Sequence, residues 1–157
     1  MGHNWLTRIL EETATTLFAG MILVVIGQVF LRYVLGIGLL GTLTVAILLF
    51  QWSTMVGAAV ASARGLHITV DFLVKKLPGR VLGWALLGSI AVQLLFLAYL
   101  LAGGIALVEV TWDSYSQAVV WMRFGYQSLA IPVGAALMLG YTVAGLPRAW
   151  RLLRGEG

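Results

Sequence analysis

The chain has 157 residues, of which 61% are hydrophobic and only 10% are charged. Soluble domains contain roughly 45–50% apolar and about 25% charged residues, so this composition indicates an integral membrane protein. The absence of cysteine excludes disulfides, iron–sulfur ligation and thiol redox chemistry. A formal net charge of +4 is explained by membrane orientation and lipid headgroups, and it requires no nucleic-acid partner.

Four apolar segments are long enough to cross a bilayer. About 20 residues of α-helix match the ~30 Å hydrocarbon thickness, and helices are required because lipid offers no hydrogen-bond partners to the backbone. We expect the first segment to be retained rather than cleaved as a signal, since it is long and follows Glu11 and Glu12. The sequence predicts a single all-α domain over 1–157, a four-helix membrane bundle with spans at about 14–35, 39–62, 81–108 and 127–147.

The basic residues are distributed unevenly between the two ends of these spans. The connections at one end contain only Arg32 and Arg123. The positive-inside rule therefore predicts that both termini and the 63–80 loop are cytoplasmic. The basic residues assigned to the cytoplasmic side are Arg8, Arg64, Lys75, Lys76, Arg80, Arg148, Arg151 and Arg154.

The loop after span two has an apolar pattern of its own. Over 69–77 apolar residues recur at i, i+3, i+4 and i+7, and Thr69 suits an N-cap. Pro78 and Gly79 end the element. The pattern predicts a short amphipathic helix in the membrane interface. The alternation in 67–72 also permits a strand, but a lone strand would have no partner.

A few polar or bulky residues stand inside the spans. Gln28, Gln51 and Gln93 are the deepest polar residues of spans one to three, and they either hydrogen-bond between helices or line a substrate path. Arg32 lies one turn after Gln28 and either anchors the helix at the interface or contacts another subunit. Trp52 lies inside span two, so it must face another helix or a partner.

Small residues suggest where helices pack closely. Gly57 begins the sequence Gly-Ala-Ala on span two, and Gly83 and Gly88 lie on span three. Small residues let membrane helices approach each other. Glycine is also common in membrane helices generally, so this pattern alone does not fix the contacts.

Arg64, His67 and Asp71 follow span two. His67 either lies at headgroup level or forms a polar cluster with Asp71 that fixes the loop to a partner or to span ends. A metal site is a poor interpretation, because these two residues supply two ligands and His3 is the chain's one other histidine. We expect no cofactor.

Several residues follow one another in a characteristic order: Arg32, Tyr33, Trp52, Gly57, Ala58, Ala59, Arg64, Gly65, His67, Ile68, Val70, Asp71, Leu77 and Pro78. This order resembles that of the small membrane subunit of tripartite ATP-independent periplasmic (TRAP) transporters, the DctQ-like family. The resemblance covers all four spans and includes Ile131-Pro132-Val133-Gly134 in the last one. The sequence departs from the family where span two begins, since Gly41, Leu43 and Thr44 stand where a Trp and acidic residues are frequent. The specific part of the resemblance is the pattern His-Ile-x-Val-Asp at 67–71, which follows the Gly-Ala-Ala of span two.

The resemblance implies a role in sodium-driven uptake of organic acids across the bacterial inner membrane. Its implied partners are a large membrane subunit, which carries the substrate and sodium sites, and a periplasmic substrate-binding protein. The small subunit is then a scaffold against which the large subunit moves. On this interpretation the chain is no enzyme, has no substrate site of its own, and contacts membrane phospholipid.

Two other classes of four-helix membrane protein compete with this one. A small multidrug exporter acting alone would need a carboxylate within the membrane, but Glu11 and Glu12 precede span one. A membrane redox enzyme would need cysteines or paired histidines on facing helices, and the sequence has neither.

Overall fold

The computed structural model describes residues 5–38, 41–64, 79–119 and 122–153. Within these ranges the regular elements are α-helices. They are α1 (Trp5–Val34), α2 (Thr42–Ala63), α3 (Gly79–Thr111), the single-turn α4 (Gly125–Ser128) and α5 (Ala130–Leu153).

Four helical segments are long and apolar enough to cross a membrane, which confirms the prediction of an all-α protein with four spans. The expected amphipathic helix at 69–77 lies outside the described residues. The four spanning segments are Trp5–Val34, Thr42–Ala63, Leu87–Thr111 and Gly125–Ala144.

The first helix begins well before the apolar segment predicted from position 14. Arg8 Nε donates to Glu12 Oε1 over 3.3 Å, and Thr13 Oγ1 donates to the Ile9 carbonyl over 2.8 Å. Both bonds join residues four positions apart within α1. They support a helix that begins before the hydrophobic segment. Hydropathy marks the segment that lipid favours, and a helix is free to extend past it.

The helices are arranged as a row. In the part of the chain that the structure describes, the extensive contacts join α1 to α2, α2 to α5, and α5 to α3. In this row α1 and α3 occupy the two ends. Because successive spans run in opposite directions, the connections 35–41 and 112–124 lie at the same end of the helix axes. We call this the connection end, and the opposite end the terminal end.

A cluster of buried residues joins α2, α3 and α5. Ala59, Leu97 and Met138 are at most 5% exposed and form a cluster with one residue from each of these helices. The helix α1 has no buried residue at all. This cluster therefore involves three of the long helices, and α1 is attached to it through α2.

Close helix crossings occur at glycines on α3 and α5. A Cβ on Gly134 would lie 2.8 Å from Met55 Cβ, and one on Gly104 would lie 3.0 Å from Ile131 Cγ2. Such distances are too short for a larger residue, so these glycines allow the crossings. At Gly57 and Gly88 a Cβ would meet nothing within 4 Å. Among the described residues, the close approach expected at those two positions is therefore not found.

Candidate partner interface

The structure distributes the site residues predicted from the sequence along the row and does not gather them into one pocket. His67 and Asp71 lie outside the described residues. The remaining candidates are Gln28 and Arg32 on α1, Gln51, Trp52 and Gly57 on α2, Arg64 directly after α2, and Gln93 on α3.

Gln93 forms a hydrogen bond between two helices. Its Nε2 donates to Thr142 Oγ1 of α5 over 3.2 Å, and Thr142 Oγ1 in turn donates to the Met138 carbonyl over 2.8 Å. Interhelical bonds of this kind contribute about 0.6–2 kcal/mol in a bilayer. Gln28 and Gln51 are half-buried, and their side chains form no hydrogen bond with the described residues.

Trp52 contacts the short helix α4. Its Nε1 donates to the Tyr126 carbonyl over 3.0 Å, so its indole faces a neighbouring helix of the same chain. Gln127 Nε2 donates to the Thr44 carbonyl over 3.2 Å and makes a second link between α4 and α2. These bonds place α4 against the first half of α2, at the connection end.

The connection from α3 to α4 folds back on itself beside this contact. Tyr115 and Arg123 form an isolated antiparallel bridge. On either side of it, Ser116 N donates to the Met122 carbonyl over 3.0 Å and Phe124 N to the Ser114 carbonyl over 2.9 Å. These hydrogen bonds join the two arms of the connection and order it where it has no regular secondary structure.

Arg123 lies among aromatic rings in this connection. Its guanidinium carbon is 5.3 Å from the ring centre of Tyr115 and 5.9 Å from that of Trp112. The rings of Trp112 and Tyr126 meet edge to face at 6.1 Å. We call these four residues the aromatic cluster. Such contacts between a cation and aromatic rings are favourable, and they order the Arg123 side chain.

The aromatic cluster was missed by reasoning from the sequence. The sequence shows a high density of aromatic residues around Arg123, and this was the one available signal. Aromatic residues near the ends of membrane helices are usually interfacial anchors, so the signal did not distinguish a cluster from an aromatic belt.

Gly41 brings this connection against the start of α2. It has φ of 100°, in the left-handed region that glycine adopts readily. A Cβ at this position would overlap the Val119 side chain and lie 3.0 Å from the Ala118 carbonyl oxygen. The connection between α3 and α4 therefore occupies the space that a side chain at position 41 would need.

Arg64 lies at the opposite end of the helix axes, the terminal end. Its Nε donates to Glu11 Oε1 over 2.9 Å, and its Nη2 contacts the same oxygen. The Glu11 side chain is 25% exposed and the Arg64 side chain 52%. This ion pair links the end of α2 to the first part of α1.

The two helices at the ends of the row expose large apolar side chains. On α1 the most exposed include Leu23, Ile26 and Tyr33, each at least 60% exposed. On α3, Leu95 and Tyr99 are 74% and 80% exposed. Exposed apolar surface of this extent requires lipid or another membrane protein as its neighbour. Arg32 is also exposed, at the end of α1.

A comparison with protein families identifies a similarity that covers most of the chain. A family model of the DctQ component of tripartite ATP-independent periplasmic transporters matches residues 21–154. No curated protein matches the chain. The matched range extends from within α1 through α5, so it includes both connections of the connection end.

Proposed function

Because the chain belongs to the DctQ family of tripartite ATP-independent periplasmic transporter components, we propose that it is the small scaffold subunit of a sodium-driven importer of organic acids. It lies in the bacterial inner membrane and acts with a large membrane subunit and a periplasmic substrate-binding protein. The large subunit holds the acid and the sodium ions. The small chain supports that subunit while its transport domain moves.

The arrangement of helices in a row is the observation that carries this proposal. A closed bundle would bury its helices against one another, whereas here α1 and α3 each keep a broad apolar face exposed. A transport domain that moves through a bilayer needs a laterally wide and rigid neighbour. A row presents more width for the same number of helices, and the crossings at Gly104 and Gly134 hold it together.

The distribution of charge supports a scaffold rather than a transport site. No Asp, Glu, Lys or Arg occurs in 13–31, 41–63, 81–108 or 124–147. Ion and proton pathways generally place ionisable groups within the membrane, where such groups are costly and are retained for function. The same observation disfavours a small multidrug exporter, which would need a carboxylate at that depth.

The proposed orientation places the terminal end in the cytoplasm and the connection end in the periplasm. The distribution of basic residues supports it. The aromatic cluster and the connection that contains it then face the compartment of the substrate-binding protein. Exposed apolar side chains on α1 that the large subunit does not cover contact membrane phospholipid.

Purification from native membranes tests the proposed complex. The tagged chain, extracted in a mild detergent, is expected to retain a polytopic protein several times its own mass, because the exposed faces of α1 and α3 favour a membrane-embedded partner. Mass spectrometry of the eluted bands identifies that protein. An unrelated tagged four-helix membrane protein from the same cells serves as the control. Elution of the chain alone, in detergents that preserve its fold, would contradict the proposal.

Cysteine labelling tests the proposed orientation. Since the chain has no cysteine of its own, single variants report one position each. We expect a membrane-impermeant maleimide to label Ser114→Cys in intact spheroplasts, and to label Lys75→Cys only after the membrane is permeabilised. The reverse pattern would overturn the orientation.

A further inference from the structure

A groove of about 380 Å³ opens along the seam between α1 and α2. It is lined by Ala14, Thr15, Phe18, Ser53 and Thr54. The hydroxyls of Ser53 and Thr54 both donate to the Phe50 carbonyl, over 2.9 and 2.8 Å. Because these two hydroxyls already have partners within α2, their part of the groove offers an occupant mainly apolar contacts.

Gly57 extends the open space toward the terminal end. It lies one turn after Ser53 and two turns before Arg64, so the three residues share one face of α2. A Cβ on Gly57 would meet nothing within 4 Å. The glycine therefore leaves open space on this face of α2, between Ser53 of the groove and Arg64.

This face of α2 ends at a group of paired charges. Arg64 binds Glu11 through Nε and Nη2, and its Nη1 is not used in that pair. Arg8 and Glu12 form a second ion pair on the first turns of α1, with both side chains about 70% exposed. Among the described residues, the first turns of α1 and the end of α2 thus supply two cations and two anions, which are partners for both a phosphate and an ammonium.

We propose that this seam binds one phospholipid with a phosphoethanolamine headgroup. Its phosphate accepts from Arg64, its ammonium donates to the carboxylates of Glu11 and Glu12, and one acyl chain follows Gly57 into the groove. Guanidinium groups bind phosphate strongly. A headgroup with a net negative charge, such as phosphoglycerol, has no ammonium group that could donate to the two carboxylates.

The distances along the helices fit this occupant. Glu11 and Phe18 are seven residues apart, which corresponds to about 10 Å of α-helix. One leaflet of the hydrocarbon region is about 15 Å thick, so a chain that starts at the headgroup level reaches the groove. Phe18, which lines the groove, is 48% exposed, so an acyl chain there would cover apolar surface that the protein leaves open.

Native mass spectrometry of the delipidated full-length chain tests the site. Titration with phosphatidylethanolamine is expected to give one tightly bound lipid, with an affinity about tenfold above that for phosphatidylglycerol. Gly57→Leu should fill the open space and reduce that affinity about tenfold. Gly103→Leu on α3 is the matched control, because a Cβ there also meets nothing within 4 Å, and it should leave binding unchanged.

A second variant keeps the test decisive if Gly57→Leu does not fold. Thr54→Phe narrows the groove from an exposed position and should lower the affinity in the same way. Equal affinity for the two lipids, or unchanged binding in both variants, would overturn the proposal. If lipid binding is unchanged but a co-purifying large subunit is lost, the seam holds a helix of that partner and the proposal is also wrong.

Discussion

Liposomes that contain the purified chain alone are expected to take up no organic acid under an inward sodium gradient. The physical reason is the absence of charged residues from the central parts of the spans, 13–31, 41–63, 81–108 and 124–147, together with an arrangement in a row that encloses no midplane site among the described residues. Secondary transporters generally build such sites from broken helices and repeated units. Uptake should appear when the large membrane subunit and the matching binding protein are added.

The control for this assay is removal of the gradient. In the complete system a sodium ionophore should abolish uptake, whereas a proton ionophore that leaves the sodium gradient intact should not. Uptake by the small chain alone would contradict its role as a scaffold. The search for a transport site would then return to Gln28, Arg32, Gln51 and Gln93.

The four helices were predictable because the bilayer imposes a length and a composition on each span. Their order in the row was not predictable in the same way. In a soluble protein the apolar face of a helix is the buried one, so the sequence pattern indicates which side packs. In lipid all faces of a helix are apolar, so the pattern no longer indicates the packed side. The helix α3 illustrates the difficulty, since apolar residues such as Leu95 and Leu97 lie close in sequence but are 74% and 2% exposed.

Single residues were harder to place than spans. Trp52 was expected to face a helix or a partner, and it donates to a carbonyl of α4. Gly57 and Gly134 are both glycines in apolar helices, but only Gly134 lies at a close crossing. Composition cannot separate the two, because the difference depends on which neighbour each helix meets. The aromatic cluster likewise depends on a backbone bridge between Tyr115 and Arg123 that no local pattern reveals.

Gly134→Leu is expected to destabilise the row by about 1–3 kcal/mol or more, through overpacking at the crossing of α2 and α5. The added Cβ would lie 2.8 Å from Met55 Cβ and 3.3 Å from the Met55 carbonyl oxygen. A rotamer change of Met55 moves neither atom, because both are fixed by the backbone. Thermal unfolding of the purified chain in detergent measures the effect, which should be a loss of several degrees in Tm.

Gly140→Leu is the matched control on the same helix. A Cβ at Gly140 meets nothing within 4 Å, so the same substitution there should change Tm little. Equal losses at the two positions would mean that α5 tolerates no added side chain anywhere, and the crossing would not be the cause.

The crossing at Gly134 has a particular consequence because of its place in the row. Gly134 contacts α2, and Pro132, two residues earlier, lies against Gly104 of α3. The segment 131–134 thus holds the pair α1–α2 to α3, and it is also the part of the last span that resembles the DctQ-like family.

If the chain acts as a scaffold, separation at this crossing should divide the row into two halves. Gly134→Leu should therefore reduce sodium-driven uptake by the complete transporter, although residue 134 contacts no transported acid in the proposed arrangement. Gly140→Leu should retain uptake, and a loss of uptake in both variants would remove the link between the width of the row and transport.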